Sequence, residues 1–204
     1  MTEQSGILYT IGHSTHSIEH FISLLKKHGI DALVDVRSSP FSQFCPQFNR
    51  PHLEESLKKE GIYYIFMGKE LGARRLEAAC YAGKKVNYRL VAQTPLFKEG
   101  LKRLENGVRK MRVAIMCAEK DTLACHRAVL IAHFGRNRFR DIHHILEDGT
   151  IETCTQTDRR LLTEYSMNME DFFISYSEKL RLAYEKSGER IAYMEESESE
   201  LSYG

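Results

Sequence analysis

Short apolar segments that alternate with helical patterns constrain the fold of this chain most strongly. Residues 32–36 (Ala-Leu-Val-Asp-Val) and 113–117 (Val-Ala-Ile-Met-Cys) are largely apolar on both faces, as strands are when helices cover both sides of a parallel sheet. Residues 7–11 show the same pattern, and Ser17 can cap a helix whose apolar side chains recur at helical spacing over residues 18–25. We therefore predict an α/β fold, a single three-layer domain with a mostly parallel sheet flanked by helices.

The pattern changes towards the carboxyl terminus. Asp148 and Gly149 predict a hairpin that joins the last parallel strand to a small antiparallel extension. Two helical patterns follow, one with Leu161, Leu162 and Tyr165 and one with Met169, Phe172, Phe173, Tyr176 and Leu180. The acidic residues after them are nearly devoid of apolar groups. These features predict three parts: an α/β domain over residues 1–154, a C-terminal helical extension over 155–187 and an acidic, disordered tail over 188–204.

Composition narrows the classes of function. The 204 residues include 29 lysines and arginines against 28 aspartates and glutamates, so no global positive field favours nucleic acid and any such site is local. No run of about 18 apolar residues and no signal peptide is seen, which argues against a membrane protein. Five irregularly spaced cysteines favour a reducing compartment, so we predict a cytoplasmic protein. The sequence leaves open whether the chain forms homo-oligomers.

Polar residues follow several of the predicted strands. His13 and Ser14 come after the first strand, and Asp35 and Arg37 lie at the end of the second. Right-handed crossovers bring the carboxyl ends of parallel strands to one edge of the sheet, where open α/β folds bind their ligands. We therefore expect these side chains to converge with the residues that follow the strand at 113–117.

The segment from Cys117 to Arg127 is the richest in reactive groups. Cys125 falls near the first turn of the next helix, where the positive end of the helix dipole lowers a thiol pKa, and His126 titrates near neutrality. A cysteine nucleophile with an acid or base beside it predicts an enzyme that binds an anionic substrate, whose reaction the sequence does not specify. The predicted catalytic residues are Cys125, Glu119, His126 and Cys117, and the predicted substrate-binding residues are His13, Ser14, Asp35, Arg37 and Arg127.

Other interpretations of these residues stay open. Cys117 ends an apolar strand, so a place in the core is as plausible for it as a function. Cys117, Cys125, His126 and a histidine from another strand end also offer sulfur and nitrogen ligands for zinc, which makes a zinc-binding protein an alternative. We assign no metal ligand and no cofactor from the sequence, because the spacing matches no compact zinc signature.

A third hypothesis is a nucleic-acid or nucleotide-binding module without catalysis. Arginines and tyrosines interleave along part of the chain, and such side chains can hold phosphates and stack on bases, although a solvated surface is the commoner explanation. The predicted partner is therefore an anionic small molecule or a nucleotide. The residues in question are Arg37, Arg74, Arg75 and Arg89 with Tyr63, Tyr64 and Tyr88.

Four motifs occur in order along the chain: Tyr9-Thr10-Ile11-Gly12-His13-Ser14, Val34-Asp35-Val36-Arg37, Cys117-Ala118-Glu119 and Cys125-His126-Arg127. Together they resemble the family called domain of unknown function 488. The resemblance covers roughly residues 7–150 and implies an α/β domain with clustered polar residues, but no settled reaction. The chain departs from the usual pattern at Ala73, where a second glycine commonly follows Leu71 and Gly72.

Overall fold

The computed structural model of the chain describes residues 5–167 and 174–195. Within these residues, a six-stranded sheet has the strand order β3-β2-β6-β1-β7-β8, and β4 and β5 form a separate small hairpin. Short, fully buried strands such as β2 and β6 form where the sequence is continuously apolar. The strands are β1 (Ser5–Gly12), β2 (Ala32–Asp35), β3 (Tyr63–Phe66), β4 (Tyr81–Ala82), β5 (Lys85–Val86), β6 (Val113–Cys117), β7 (Phe139–Ile145) and β8 (Ile151–Thr153).

Neighbouring strands of the large sheet run parallel except at one edge. Tyr9 of β1 lies opposite Ala114 of β6 and opposite His143 of β7, with all three strands parallel. β8 pairs antiparallel with β7. The turn between them contains Gly149 in the left-handed region at φ 74°, which confirms the predicted hairpin.

Helices connect the strands and cover the sheet. Ser17 accepts a hydrogen bond from the amide of His20 and so caps α1 as predicted, and Thr94 caps α5 in the same way. The segment after β6 winds as a π-helix, Arg127–Ala132, where an α-helix was expected. The α-helices are α1 (Ile18–Lys27), α2 (Arg50–Lys59), α3 (Gly68–Leu71), α4 (Tyr88–Gln93), α5 (Pro95–Val108), α6 (His133–Gly135), α7 (Cys154–Glu164) and α8 (Tyr176–Ile191).

Two apolar clusters, one on each face of the sheet, confirm the three-layer α/β architecture. On one face, Phe21 and Leu25 of α1 pack with Leu53 and Leu57 of α2. On the other face, α5, the π-helix, α7 and α8 contribute to a larger cluster. The strands β2 and β6 are therefore covered on both sides, which is why their sequences are largely apolar without alternation.

The predicted division of the chain into three parts stays a prediction, although α8 crosses one of its boundaries. α8 continues to Ile191, past the predicted boundary at residue 187, and Met194 then pairs with Lys85. Packing explains this extension, because Gly188 approaches the ring of Tyr88 and Ala192 is buried. Of the predicted second helical segment, Tyr176 and Leu180 lie in α8, whereas Met169, Phe172 and Phe173 lie outside the described residues. Residues 196–204 of the predicted tail also lie outside them. None of the described helices is long and apolar enough to cross a lipid bilayer.

Candidate functional site

The site lies at the carboxyl ends of β1 and β6, the two central strands. The chain leaves β1 towards α1 on one face and leaves β6 towards the π-helix on the other, which opens a crevice of the kind where α/β proteins bind ligands. The amide of His13 donates to the carbonyl oxygen of Cys117 (2.9 Å), and the amide of Ser14 donates to that of Ala118 (2.9 Å). These bonds hold the two loops side by side.

Four side chains from the loop after β6 meet in this crevice, and we refer to them as the Cys/His cluster: Cys117, Glu119, Cys125 and His126. One potential donor atom from each lies within 4.8 Å of all the others. The Oε2 atom of Glu119 lies 2.9 Å from the Sγ atoms of both cysteines. The loop therefore folds back so that two sulfurs, a nitrogen and a carboxylate oxygen face one point.

The orientation of His126 is fixed by the backbone of a neighbouring strand end. Its Nε2 lies 3.1 Å from the carbonyl oxygen of Val36, which only accepts, so Nε2 carries the proton in a neutral ring. Its Nδ1 lies 3.4 Å from Cys117 Sγ and 3.9 Å from Cys125 Sγ. The lone pair of Nδ1 therefore points at the two sulfurs.

Three members of the Cys/His cluster are buried, and one is exposed to solvent. Cys117 and Cys125 are only 3% and 1% exposed, and His126 is also buried. Glu119 is exposed as a residue, although its carboxylate end lies against the sulfurs. Glu119 is therefore the one exposed member of the cluster.

The pKa values of the four groups shift because they are buried together. Burial, with the neighbouring Cys125 and Glu119, holds the pKa of Cys117 well above its usual value. Burial also acts to raise the pKa of Cys125, but the hydrogen bond from Cys117 and the charges of Arg127 and His126 outweigh it, so this pKa lies well below the usual value. Burial and Cys125 raise the pKa of Glu119. Burial acts to lower the pKa of His126, yet contact with Cys125 raises it overall.

Arg127 supports the loop that carries the cluster. Its buried guanidinium donates through Nη1 to the carbonyl oxygen of Glu119 (2.5 Å) and through Nη2 to that of Lys120 (2.9 Å). Its backbone amide donates to Cys125 Sγ (3.4 Å), which favours the thiolate. Its Nε has no hydrogen-bond partner among the residues that the structure describes. The predicted role of Arg127 in binding an anion stays a prediction.

Asp35 and Arg37 form a buried ion pair beside the cluster. Arg37 donates through Nε to Asp35 Oδ1 (3.0 Å) and through Nη2 to Oδ2 (2.7 Å), and Tyr64 donates its hydroxyl to Oδ2 (2.8 Å). Arg37 also donates to the carbonyl oxygen of Phe48 (2.8 Å). This network fixes the end of β2, and so positions the Val36 carbonyl that orients His126.

His13 links the ion pair to the first strand. Nη1 of Arg37 lies 3.2 Å from Nε2 of His13, and Nδ1 of His13 lies 2.8 Å from the carbonyl oxygen of Ser14, which has a positive φ of 47°. Burial lowers the pKa of His13 to about 4, so the ring is neutral at physiological pH and accepts the arginine N–H. Of the five guanidinium hydrogens of Arg37, one on Nη1 is left for a ligand once these bonds are counted.

Two of the arginines that were considered for nucleic-acid binding form ion pairs with carboxylates of this chain. Arg75 is buried and pairs with Glu77, whereas Arg89 pairs with Glu185 on α8. Tyr63 is exposed on the edge strand β3. These contacts leave nucleic-acid binding a prediction.

One contributor to the site had no signal in the sequence, and a second, Tyr88, was considered there for base stacking and not for this site. The carbonyl oxygen of Val36 is a backbone group, so residue identity carries no information about it. Tyr88 is buried at the first turn of α4, and burial together with the charges of Cys125 and the other cluster acids raises its pKa. Its position next to a helix-capping Asn87 was the only cue that it begins a helix.

All five cysteines lie within the described residues, and none of them forms a disulfide. Cys45 and Cys80 are buried, and Cys154 is half-buried and contacts Arg136, whose Nη2 lies 3.3 Å from its sulfur. These three are not members of the Cys/His cluster. Cys154 is therefore a suitable control thiol for experiments on the cluster.

A family model described as "Domain of unknown function DUF488" matches residues 17–134. The match includes Asp35, Arg37 and the whole Cys/His cluster, and it ends before α7 and α8. It starts just after His13 and Ser14. No curated protein and no solved structure matches the chain.

Proposed function

The chain belongs to the DUF488 family, and for it we propose a zinc-dependent enzyme that acts on an anionic substrate. Cys117, Cys125 and His126 would hold the ion, with Glu119 at the exposed fourth position. The observation that carries this proposal is the convergence of four donor atoms, each within 4.8 Å of the others. Zinc prefers such a set of thiolate, imidazole and carboxylate ligands in tetrahedral geometry.

The distances in the cluster fit a small tetrahedral ion. Zinc bonds of about 2.0–2.3 Å place neighbouring ligand atoms roughly 3.3–3.8 Å apart. The separations of His126 Nδ1 from the two sulfurs, 3.4 and 3.9 Å, are close to that range. Glu119 Oε2 is nearer to both sulfurs, at 2.9 Å, and would move outwards when the ion enters.

Charge gives a second argument for a cation. Cys117, Glu119 and Cys125 are each anionic when ionised, and together they occupy a largely buried space. Like charges this close cannot all ionise unless a positive charge lies between them. The nearby guanidinium of Arg127 already donates to two carbonyl oxygens of the loop. A divalent ion would neutralise the three acids and replace their protons.

The contact between His126 and Val36 also supports metal binding. A histidine that ligates a metal usually donates its other ring N–H to a carbonyl or carboxylate, which fixes the tautomer and the ring orientation. His126 makes this contact at 3.1 Å with the Val36 carbonyl oxygen. The backbone amide of Arg127 donates a hydrogen bond to Cys125 Sγ and in the same way helps to fix the position of this ligand atom.

The exposed position of Glu119 favours catalysis over a purely structural ion. Catalytic zinc sites have three protein ligands and a fourth position that water or substrate can occupy. Here the three buried ligands would stay in place while Glu119 yields its position to a substrate anion. The released carboxylate would then be available as an acid or base beside the ion.

A metal-free thiol enzyme is the second candidate. The pKa of Cys125 lies below its usual value, although burial opposes this, because Cys117, Arg127 and His126 stabilise the thiolate. Its sulfur is however almost fully enclosed, whereas a nucleophile must come within about 3–3.5 Å of the atom that it attacks. This burial is the reason that we favour the metal centre.

Zinc analysis of cysteine variants tests the proposal. We expect wild-type protein, purified without chelator, to contain about one zinc per chain, and Cys117→Ser and Cys125→Ser to lose it because each removes a thiolate ligand. Cys154→Ser is the matched control and should keep the ion, since Cys154 is outside the cluster. Circular dichroism checks that every variant is folded.

Glu119→Gln tests the fourth ligand position separately from the two cysteines. This variant should retain zinc with weaker affinity, because it alters only the exposed position. Folded wild-type protein that neither contains zinc nor takes it up on titration would contradict the proposal. Rapid alkylation of Cys125 in that metal-free protein at neutral pH would support the thiol enzyme in its place.

A further inference from the structure

A groove of about 600 Å³ lies at the amino ends of strands β1, β2 and β6. Gly6 and Ile7 of β1 line it, together with Asp31, which precedes β2, and Arg112, which precedes β6. Because these strands run parallel, this edge of the sheet is opposite the edge that carries the Cys/His cluster. From Ile7 at the groove to Gly12 beside the cluster, β1 rises by about 17 Å, so the two sites are separate.

The wall of this groove carries an excess of positive charge. Four cationic side chains and a single carboxylate line it, namely Arg109, Lys110, Arg112 and Arg140 against Asp31. The first three lie in the turn between α5 and β6, and Arg140 lies in β7. All four are exposed. The whole chain has a net charge of only +1, so this excess is a local feature of the surface.

Most of this positive charge is not neutralised by the protein itself. Lys110 and Arg140 form no ion pair with any residue that the structure describes. Arg112 donates through Nη1 to the carbonyl oxygen of His28 (3.1 Å), which leaves its charge uncompensated. The carboxylate of Asp31 accepts the backbone amide of Arg112 (2.8 Å) and not a cationic side chain.

The fourth cation is only partly neutralised. Arg109 pairs with Glu105 at 2.7 Å, but Arg138 pairs with the same carboxylate at 3.0 Å. One negative charge therefore serves two arginines, and Glu105 itself does not line the groove. An anionic partner would add the negative charge that this wall lacks.

The chemistry of the wall favours a nucleic acid over a membrane or a protein as this partner. Protein interfaces and membrane-binding surfaces depend on large apolar or aromatic side chains, and none of those that the described residues expose lines the groove. Three of the four cations are arginines, whose planar guanidinium groups bind phosphate oxygens with two hydrogen bonds. Contacts to phosphates need no apolar surface.

We infer that this groove binds the phosphate backbone of a nucleic acid without reading its base sequence. Phosphate contacts position a nucleic acid but carry no sequence information. Tyr9, the one aromatic residue in the wall, is buried, so the groove offers no exposed ring on which a base could stack. None of the arginines considered for nucleic-acid binding from the sequence lines the groove. The inference does not depend on the proposed zinc centre.

Fluorescence anisotropy of a labelled DNA duplex of about 20 base pairs, titrated with the full chain, tests the inference. We expect a dissociation constant of about 1–10 µM at about 50 mM salt, and the same value within about twofold for a duplex of unrelated sequence. The logarithm of the affinity should fall linearly with the logarithm of the salt concentration. Its slope should be roughly −3 to −4, because three or four phosphates are contacted.

Two variants and a matched control assign the binding to the groove. Lys110→Gln and Arg140→Gln should each weaken the affinity about tenfold at low salt and reduce the slope by about 1, because each removes one phosphate contact. Lys69→Gln removes the same charge from α3, at the other edge of the sheet, and should change the affinity less than about twofold. All three side chains are exposed, so the variants should keep the wild-type fold and zinc content. This test and the test of the metal centre therefore fail independently.

Folded wild-type protein that binds neither duplex at about 100 µM and about 50 mM salt would overturn the inference. Binding that neither groove variant changes, or that Lys69→Gln weakens equally, would also overturn it, because the contact would then be elsewhere or depend on net charge alone. A polyglutamate peptide of the same total charge should compete at least about tenfold more weakly than unlabelled duplex, since its charges are about twice as far apart. Equal competition would indicate an acidic protein as the partner and contradict the inference.

Discussion

Replacing Gly12 by alanine is expected to destabilise the protein by at least about 3 kcal/mol and to weaken zinc binding. A Cβ atom on Gly12 would overlap the carbonyl oxygen of Glu119, and it would lie 3.0 Å from that carbonyl carbon and 3.1 Å from Nη1 of Arg127. Backbone atoms cannot rotate out of the way as a side chain can. The loop that carries Glu119 must therefore shift, and the Cys/His cluster shifts with it.

Urea unfolding and a zinc competition assay measure the two effects of Gly12→Ala. Gly107→Ala is the control, because a Cβ there would meet only Cγ2 of Val113, at an ordinary 3.5 Å. Gly107 lies in α5, where alanine favours the helix by about 0.5–1 kcal/mol, so this variant should be neutral or slightly stabilised. A free energy of unfolding for Gly12→Ala within about 1 kcal/mol of the wild-type value, with unchanged zinc affinity, would contradict this account. The loops after β1 and β6 would then not be packed as described.

Replacing Asp35 by alanine should cost about 3–5 kcal/mol, the usual penalty for removing one partner of a buried ion pair. Arg37 is only 6% exposed, and without Asp35 its guanidinium would remain buried with two donors unpaired. Tyr64 would lose its acceptor as well. Because the same network positions the Val36 carbonyl, the orientation of His126 should loosen and zinc affinity should fall.

Denaturant unfolding of two comparison variants separates the cost of leaving the Arg37 charge buried and unpaired from the other effects of Asp35→Ala. Tyr64→Phe removes one hydrogen bond to Asp35 and leaves the ion pair, so a loss of about 1 kcal/mol is expected. Glu54→Ala breaks an ion pair with Arg50 in which both side chains are about half exposed, and should cost less than about 1 kcal/mol. Equal losses for Asp35→Ala and Glu54→Ala would mean that the Asp35–Arg37 pair is solvated.

Much of the fold could be predicted because local sequence and global structure agree. Strand β6 is apolar at every position and is buried on both faces, Ser17 caps α1, and Gly149 makes the turn before β8. The handedness of the crossovers then brought separate loops to one sheet edge. The rule predicted that His13 and Arg37 would lie at this edge, and in the structure their side-chain nitrogens are 3.2 Å apart.

The details that decide the chemistry could not be predicted in the same way. The sequence does not reveal that Glu119 turns back to both sulfurs, because this depends on the path of the loop that Arg127 holds by its carbonyl oxygens. It does not reveal which nitrogen of His126 faces the cysteines, because a backbone carbonyl sets that. The π-helix and the extension of α8 to Ile191 likewise depend on tertiary packing and not on helix propensity.

X-ray absorption at the zinc edge of the purified wild-type protein tests the proposed centre most directly. The proposal predicts a four-coordinate ion with two sulfur neighbours at about 2.3 Å and two nitrogen or oxygen neighbours at about 2.0–2.2 Å. A spectrum with only nitrogen and oxygen neighbours, or protein that holds no zinc at all, would contradict it.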